Sequence, residues 1–390
     1  MTLSFWLNRS EPTIETHTLI IGAGISGVSL SWWLSKTMDP SQVLLIDQSA
    51  LCAGASGRNA GFSTIGSLAH FNRQYKTFGL DLSLTLRDTL TESMDIFRHL
   101  VTQEDLSAHF EFCDGLSVAT NEKSLNALNE GAHILLSKGY QLRELDPKEF
   151  ASQKLQGYLG GWATAGEGQL FPTRILPILF ERSSVAFKRM KTLDIQPSAT
   201  GGYRVVCDTG VVLAQRVILA LNGYLPQLSE QLRSKIVPRR AQALITNPLK
   251  ERFLMPIVYG VDDWAYFRQL STGEVLIGGR RILDPQGEVG TEDFLNPLVQ
   301  EGLSSYLEKH FPMAFEAGIA QRWSGPLAYT ADGLPIAGEV ENGLFALGGY
   351  SGHGMAWGMI AGKFLAEHLT LGKEIPGWLD VNREFVEEAE

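Results

Sequence analysis

The chain has 390 residues, 44% hydrophobic and 19% charged, the balance of an ordinary globular protein long enough for two or three domains. A formal net charge of −10 argues against nucleic acid or an anionic membrane surface as a partner. The three cysteines, Cys52, Cys113 and Cys207, form no CxxC pair, so neither a disulfide framework nor a metal site is expected, and a reducing, cytoplasmic setting is.

Taken in chain order, residues 18–34 (TLIIGAGISGVSLSWWL) come first. Three glycines and three serines break this apolar run, which is also short for a membrane span, so neither a span nor a leader is expected. Residues 19–21 read as a strand. Gly22, Gly24 and Gly27 follow in a GxGxxG pattern, then an amphipathic stretch to about Lys36, then a second strand over 43–46 ending in Asp47, twenty residues beyond Gly27. That context is the dinucleotide fingerprint. Gly22 permits the tight turn, Gly24 lets a pyrophosphate approach, Gly27 lets helix pack on strand, and Asp47 accepts from ribose hydroxyls. The pattern alone does not separate NAD from FAD. Its N-terminal place, with a second glycine-rich segment at the far end, fits FAD better.

Residues 51–62 (LCAGASGRNAGF) form a loop of small residues in which Ser56, Arg58 and Asn59 offer donors to a phosphate or a ring carbonyl. A solvated glycine loop is the alternative. Residues 76–157 read as helical first and then mixed. RVILALNGY (216–224) reads as a parallel strand running to Asn222 and Gly223, and EVLIGG (274–279) as a further strand. TADGLPIAG (330–338) carries a turn signal at Asp332, Gly333 and Pro335. Last comes FALGGYSGHGMAWG (345–358), five of whose fourteen residues are glycine. It reads as a buried strand, a turn and a helix with small residues on one face. Such a turn aims bare N–H groups and a helix dipole at something electron-rich.

Six segments in order, IIGAGISG (20–27), GASGRNAGF (54–62), VILALNGYLPQL (217–228), YFRQLSTGEVLIGGRR (266–281), RWSGPLAYTADGLPIAG (322–338) and GGYSGHGM (348–355), resemble the FAD-dependent amine and amino-acid oxidase family. This is the D-amino-acid oxidase or glycine/sarcosine oxidase group, and the likeness is greatest to its γ-glutamylputrescine oxidase-like branch. The resemblance implies an α/β and α+β fold, with a Rossmann-like FAD-binding domain interleaved with a substrate domain on a large mixed β-sheet. The division it implies is FAD-binding at 1–75, 158–236 and 320–390, and substrate domain at 76–157 and 237–319.

The cofactor contacts implied are Gly22, Gly24, Ile25, Ser26, Gly27, Asp47 and Gln48 at the first turn, and Gly54, Ala55, Ser56, Arg58, Asn59, Ala60 and Gly61 in the loop. Further on they are Leu193, Ala220, Asn222, Gly223 and Trp323, then Gly349, Tyr350, Ser351, Gly352, His353, Gly354 and Met355. The last turn is expected to set N–H groups against flavin N1 and O2, and the 330–338 turn to lie beside the same end of the ring.

The reaction implied is hydride transfer from a C–H beside nitrogen to flavin N5, giving an imine that hydrolyses, with oxygen or another acceptor taking the electrons. His353, Tyr266 and Arg280 are the catalytic candidates, with a hydrogen-bonded structural role as the alternative for His353. Trp264, Tyr266, Phe267, Trp323, Tyr329 and Tyr350 can wall an amine pocket or simply pack in the core. Arg268, Arg280 and Arg322 can fork onto a substrate carboxylate or form structural salt bridges. The chain departs from the sarcosine-type pattern at three places. Leu276 stands where that group has an oxygen-activating lysine, and Ala356 where it has a carboxylate-binding lysine. Leu327 stands where some members carry the cysteine that bonds flavin, so non-covalent FAD is expected. A flavin dehydrogenase with a non-oxygen acceptor, an NAD-dependent dehydrogenase and a non-catalytic flavin-binding protein are the rival readings.

Overall fold

The computed structural model describes residues 13–103, 106, 107, 109–199 and 201–388. Its backbone forms two sheets flanked by helices. Among the described residues, the first sheet has eight strands. Five run parallel, in the spatial order Leu344–Gly348, Gly210–Leu219, Thr13–Ile21, Val43–Asp47 and Ala186–Arg189. Ile336–Glu341 pairs antiparallel on one edge, and Thr192–Pro197 with Tyr203–Cys207 forms an antiparallel extension of Gly210–Leu219. Helices cover the middle of this sheet, so its inner strands are buried on both faces and read as continuous apolar runs: Leu19 to Ile21 and Val43 to Ile46 are at most 4% exposed.

The second sheet is mixed. Ile319–Tyr329, Val237–Thr246, Val275–Gly279, Ala265–Gln269 and Ile257–Gly260 pair antiparallel in that order. Ile257–Gly260 pairs parallel with Phe110–Ala119, which is followed by antiparallel Gly160–Leu170 and Phe62–Ser63. The architecture is therefore the mixed α/β fold with a large mixed sheet that the resemblance implies. Three segments sit in a different sheet from the one the sequence division implies. Phe62–Ser63, Gly160–Leu170 and Ile319–Tyr329 all pair in the second sheet. Strand periodicity fixes which side chains face inward, but the sheet a strand joins depends on distant partners.

Helix Ile25–Leu34 packs on helix Gly354–Leu371 in a close crossing. A Cβ on Gly358 would stand 2.8 Å from Ile25 Cγ1, and one on Gly362 would stand 2.4 Å from Ser29 Oγ. Ser29 Oγ donates to the Met359 carbonyl at 2.9 Å. The small-residue face of the C-terminal helix is thus filled by the first helix. The helix over Leu68–Gln103 breaks at Gly79, where φ is +76°. No helix among the described residues is long and apolar enough to cross a membrane.

Candidate active site

Parallel strands deliver their loops to one edge of the first sheet. Gly22 follows the first strand, Asp47 closes the second, and Ala220 to Gly223 follow the strand ending at Leu219. The turn from Gly349 to His353 follows the strand ending at Gly348. These loops border a cavity of about 1130 Å³ whose other walls come from the second sheet. Crevices at the carboxyl ends of parallel strands are where open α/β sheets bind ligands.

The first turn is closely fitted. Gly22 has φ +112°, and a Cβ there would lie 2.5 Å from the Ala220 carbonyl oxygen, so only glycine serves. A Cβ on Gly27 would lie 1.9 Å from the Gly22 carbonyl oxygen; this glycine serves the turn itself and lies behind the cavity wall. Asp47 accepts from Ala23 N–H at 2.8 Å through Oδ2 and from Ser49 N–H at 2.7 Å through Oδ1. Its carboxylate is therefore fixed at the cavity edge. Ser56 Oγ accepts from Ile25 N–H at 2.8 Å, tying the second loop to the helix start.

The last turn carries the second helix N-terminus. Asn222 Oδ1 accepts from Gly349 N–H at 3.2 Å, and the hydroxyls of Tyr350 and Ser26 lie 2.6 Å apart, binding this turn to the first. Ser351 (φ +47°) and Gly352 (φ +94°) turn the chain into a helix that has no side-chain cap. Ser351 Oγ and His353 Nδ1 are buried without a hydrogen-bond partner among the described residues. Two glycine-rich helix starts, the second with no side-chain cap, a fixed carboxylate and unpaired polar atoms on one cavity fit a long anionic cofactor such as a dinucleotide.

Most of the sequence-predicted residues meet here. Gly22, Gly24, Ile25, Ser26, Asp47, Gln48, Gly54, Ala55, Ser56, Arg58, Asn59, Ala60, Ala220, Asn222, Gly223, Tyr266 and Tyr350 to Met355 all border the cavity. Gly61, Leu193, Trp323, Gly349 and Arg280 do not. Leu193 is 53% exposed on the outer extension of the first sheet. Trp323 packs behind the Gly54–Gly61 loop and donates from Nε1 to the Arg58 carbonyl at 2.8 Å.

The arginines are rearranged. Arg280 pairs with Asp263, Arg268 donates to the Leu170 carbonyl, and Arg322 donates to Gln300 and Ser304. None of the three borders the cavity; Arg281 and Arg73 do. Arg281 donates to the Tyr329 hydroxyl at 2.7 Å and lies over that ring. Arg73 lies over the Trp264 ring and pairs with Glu388 at 3.3 Å. Arg58 has donors committed to Asp293 and the Ser324 carbonyl, and the Asn59 amide bonds within its own loop. In the 330–338 turn, Asp332 faces Arg383 and not the cavity, while Thr330, Ala331 and Gly333 border it.

An aromatic group closes the end of the cavity at the second sheet. Phe62 meets Tyr259 and Tyr266 edge-on, with ring centres 5.8 and 5.7 Å away. Burial, with the Tyr329 phenol beside it, pushes Tyr266 up to about 12, so its phenol stays protonated. His353 stacks on His70 with 4.1 Å between ring centres. Burial first, and the Arg73 charge second, bring His353 down to about 4, and burial lowers His70 well below its ordinary value. Both rings are thus neutral at pH 7. Phe267 is wholly buried in the core of the second sheet. Sequence reasoning missed Phe62, Thr64, His70, Arg73, Tyr259 and Arg281. Three of these had a visible signal. His70 and Arg73 are spaced i, i+3 on one helix face, and Arg281 is the second of a strand-end arginine pair whose members point apart.

The profile of the family described as FAD dependent oxidoreductase matches residues 17–368. Gamma-glutamylputrescine oxidoreductase of Escherichia coli is 26% identical over 380 residues, covering 93% of this chain and 85% of that protein. Among solved structures, L-proline dehydrogenase from P. horikoshii superposes with a TM-score of 0.78 at 18% identity, covering 93% of this chain and 95% of that one. Glycine oxidase from Geobacillus kaustophilus gives 0.77 at 18% identity, covering 93% and 96%. With a profile match running through both sheets and through the first and last turns of the cavity, the chain belongs to the FAD dependent oxidoreductase family.

Proposed function

We propose that the chain holds FAD non-covalently in this cavity and oxidises an amine or amino acid against the aromatic wall. The observation that carries the reading is the meeting, in one cavity, of two glycine-rich helix starts with the unpaired Ser351 Oγ and His353 Nδ1. The relatives are named for γ-glutamylputrescine, glycine and L-proline, compounds with a C–H beside nitrogen. Neither Cys52, Cys113 nor Cys207 borders the cavity, which supports a flavin held without a thioether. The same three thiols are unpaired, which fits the reducing interior of a cell.

When bound, FAD supplies a two-electron acceptor. The turn at Gly22–Ser26 and the Asp47 carboxylate would hold the nucleotide end, since each Asp47 oxygen keeps a lone pair beyond its backbone bond. The start of the Gly354–Leu371 helix would stabilise negative charge at the other end without reorganising. Arg281, braced by Tyr329, presents a fork suited to a substrate carboxylate. The neutral Tyr266 phenol can donate to substrate, and the neutral imidazoles of His353 and His70 add no positive charge of their own beside an amine.

A visible spectrum taken before and after anaerobic addition of a pooled amine and amino-acid panel tests the reading. A flavin spectrum that bleaches is expected. A protein that is colourless and takes up no FAD would overturn it. A dehydrogenase passing electrons to a carrier other than oxygen is the second reading. Leu276, at the position where the resemblance expects an oxygen-activating lysine, is buried and outside the cavity wall, which favours it. Slow re-oxidation of the reduced protein in air would decide for it.

A further inference from the structure

Behind the aromatic wall lies a carboxylate with no exposure to solvent. Glu167 sits on the Gly160–Leu170 strand, opposite Cys113, beside a bulge in the pairing with Phe110–Ala119. Gly115 makes room for it, since a Cβ there would stand 2.8 Å from the Glu167 carboxyl carbon. Glu167 Oε2 is 2.9 Å from the Tyr259 hydroxyl, and that hydroxyl is 2.8 Å from Thr64 Oγ1. Thr64 Oγ1 also accepts from Gly66 N–H at 2.8 Å. Tyr259 and Thr64 border the cavity; Glu167 does not. Its other oxygen, Oε1, has no hydrogen-bond partner among the described residues.

One phenolic proton cannot serve two neighbours at once. With Glu167 ionised, Tyr259 donates to Glu167 and Thr64 donates to Tyr259. With Glu167 protonated, Glu167 donates to Tyr259, Tyr259 donates to Thr64, and the Thr64 proton is turned towards the cavity. The two arrangements differ by one proton, added or removed at the cavity end of the chain. The ionisable groups facing Glu167 are Arg87 from the Leu68–Gln103 helix, Tyr259 from Ile257–Gly260 and Cys113 from Phe110–Ala119. Burial holds the phenol and the thiol far above neutrality. Burial raises Glu167 to about 7, against the nearby Thr64 and Tyr259 hydroxyls and the Arg87 charge. Of this group, Glu167 is therefore the one that changes charge near neutral pH.

We propose that Glu167 is a buried proton store for the cavity, filled and emptied through the hydroxyls of Tyr259 and Thr64. The store itself needs no flavin chemistry; its use rests on the amine-oxidising reading. A substrate ammonium must lose a proton before the C–H beside its nitrogen can give up a hydride. One N–H bond breaks and its electron pair stays on nitrogen. Thr64 takes that proton and passes its own to Tyr259, which passes its own to Glu167. The products are a neutral amine, a neutral carboxylic acid and two unchanged hydroxyls, with nothing oxidised or reduced. Glu167 touches no substrate and acts through its two partners.

Infrared difference spectra of the purified full-length protein, without substrate, test this. A protonated-carboxyl band is expected to grow as pH falls through about 7 and to be missing in Glu167→Gln. After a rapid drop in pH, the band is expected to rise at least tenfold more slowly in Tyr259→Phe, which keeps the ring and loses the hydroxyl. Thr64→Val is expected to show the same slowing while leaving the Tyr259–Glu167 contact intact, and it stands in if Tyr259→Phe does not fold. A band unchanged by Glu167→Gln, or wild-type rates in a folded relay variant, would overturn the proposal. Because neither readout uses turnover, a flavin that no amine bleaches would sink the functional reading and leave this one standing. Where an amine does reduce the flavin, the pH limb of that reduction near neutrality should vanish in Glu167→Gln and return in Glu167→Asp.

Discussion

The stacked imidazoles of His70 and His353 are held neutral by burial, and this has a consequence for stability. The folded value of His353, about 4, lies below its ordinary 6.5. As pH falls between these values the unfolded chain takes up a proton that the folded chain refuses. Stability from this group is full above about pH 6.5 and is lost as pH falls towards 4, by about 3 kcal/mol in all. His353→Asn should therefore flatten the pH dependence of urea unfolding between pH 6.5 and 4, measured as a smaller change in midpoint than in the wild type. Asp47 acts at the other end of the cavity. Asp47→Ala removes a fixed acceptor and frees the N–H groups of Ala23 and Ser49. FAD affinity, followed by flavin fluorescence on titration of the apoprotein, should fall at least tenfold, about 1.4 kcal/mol. At this scale the sequence was partly legible. The glycines and Asp47 could be read because their backbone roles are local. The pointing of arginines could not, because whether Arg280 or Arg281 faces the cavity depends on Asp263 and Tyr329, residues known only once strands pair.

At the scale of elements, the contact between helices Ile25–Leu34 and Gly354–Leu371 joins the two helix starts into one unit. Gly362→Val would drive a side chain into Ser29, 2.4 Å from where its Cβ must stand. The cost should be about 1–3 kcal/mol or more, seen as a lower melting temperature, and flavin should be lost along with it because both cavity ends move. The glycine-rich run at 345–358 was legible as strand, turn and helix, but the need for its glycines is more mixed than a single bound ring requires. Gly352 has positive φ, Gly354 leaves room for the Tyr350 ring, and Gly358 for Ile25. Segments such as Gly160–Leu170 were harder to read. A strand's alternation is the same in either sheet, so nothing local says that it pairs with Phe110–Ala119.

At the scale of the whole molecule, the C-terminal segment ties distant parts together. Arg383 grips Asp332 through two hydrogen bonds of 2.8 and 2.9 Å, both side chains being at most 8% exposed, and also donates to the Leu334 and Pro335 carbonyls. Arg383→Ala leaves that carboxylate buried and unpaired, and should cost about 3–5 kcal/mol in equilibrium unfolding. Arg383→Lys should recover only part of this, since a lysine cannot fork.

The order in which the cavity is built along the chain has one more implication. Its floor is laid by residue 24 and its first acid by residue 47, yet the strand Leu344–Gly348 and the helix start at Gly354 come some three hundred residues later. A chain emerging from the ribosome therefore carries half a cradle for most of its synthesis, and a fragment cut short before residue 354 never completes it. Cofactor uptake is thereby confined to chains that extend past the helix start at Gly354, and yellow colour in a cell extract should be missing from fragments that stop short of it.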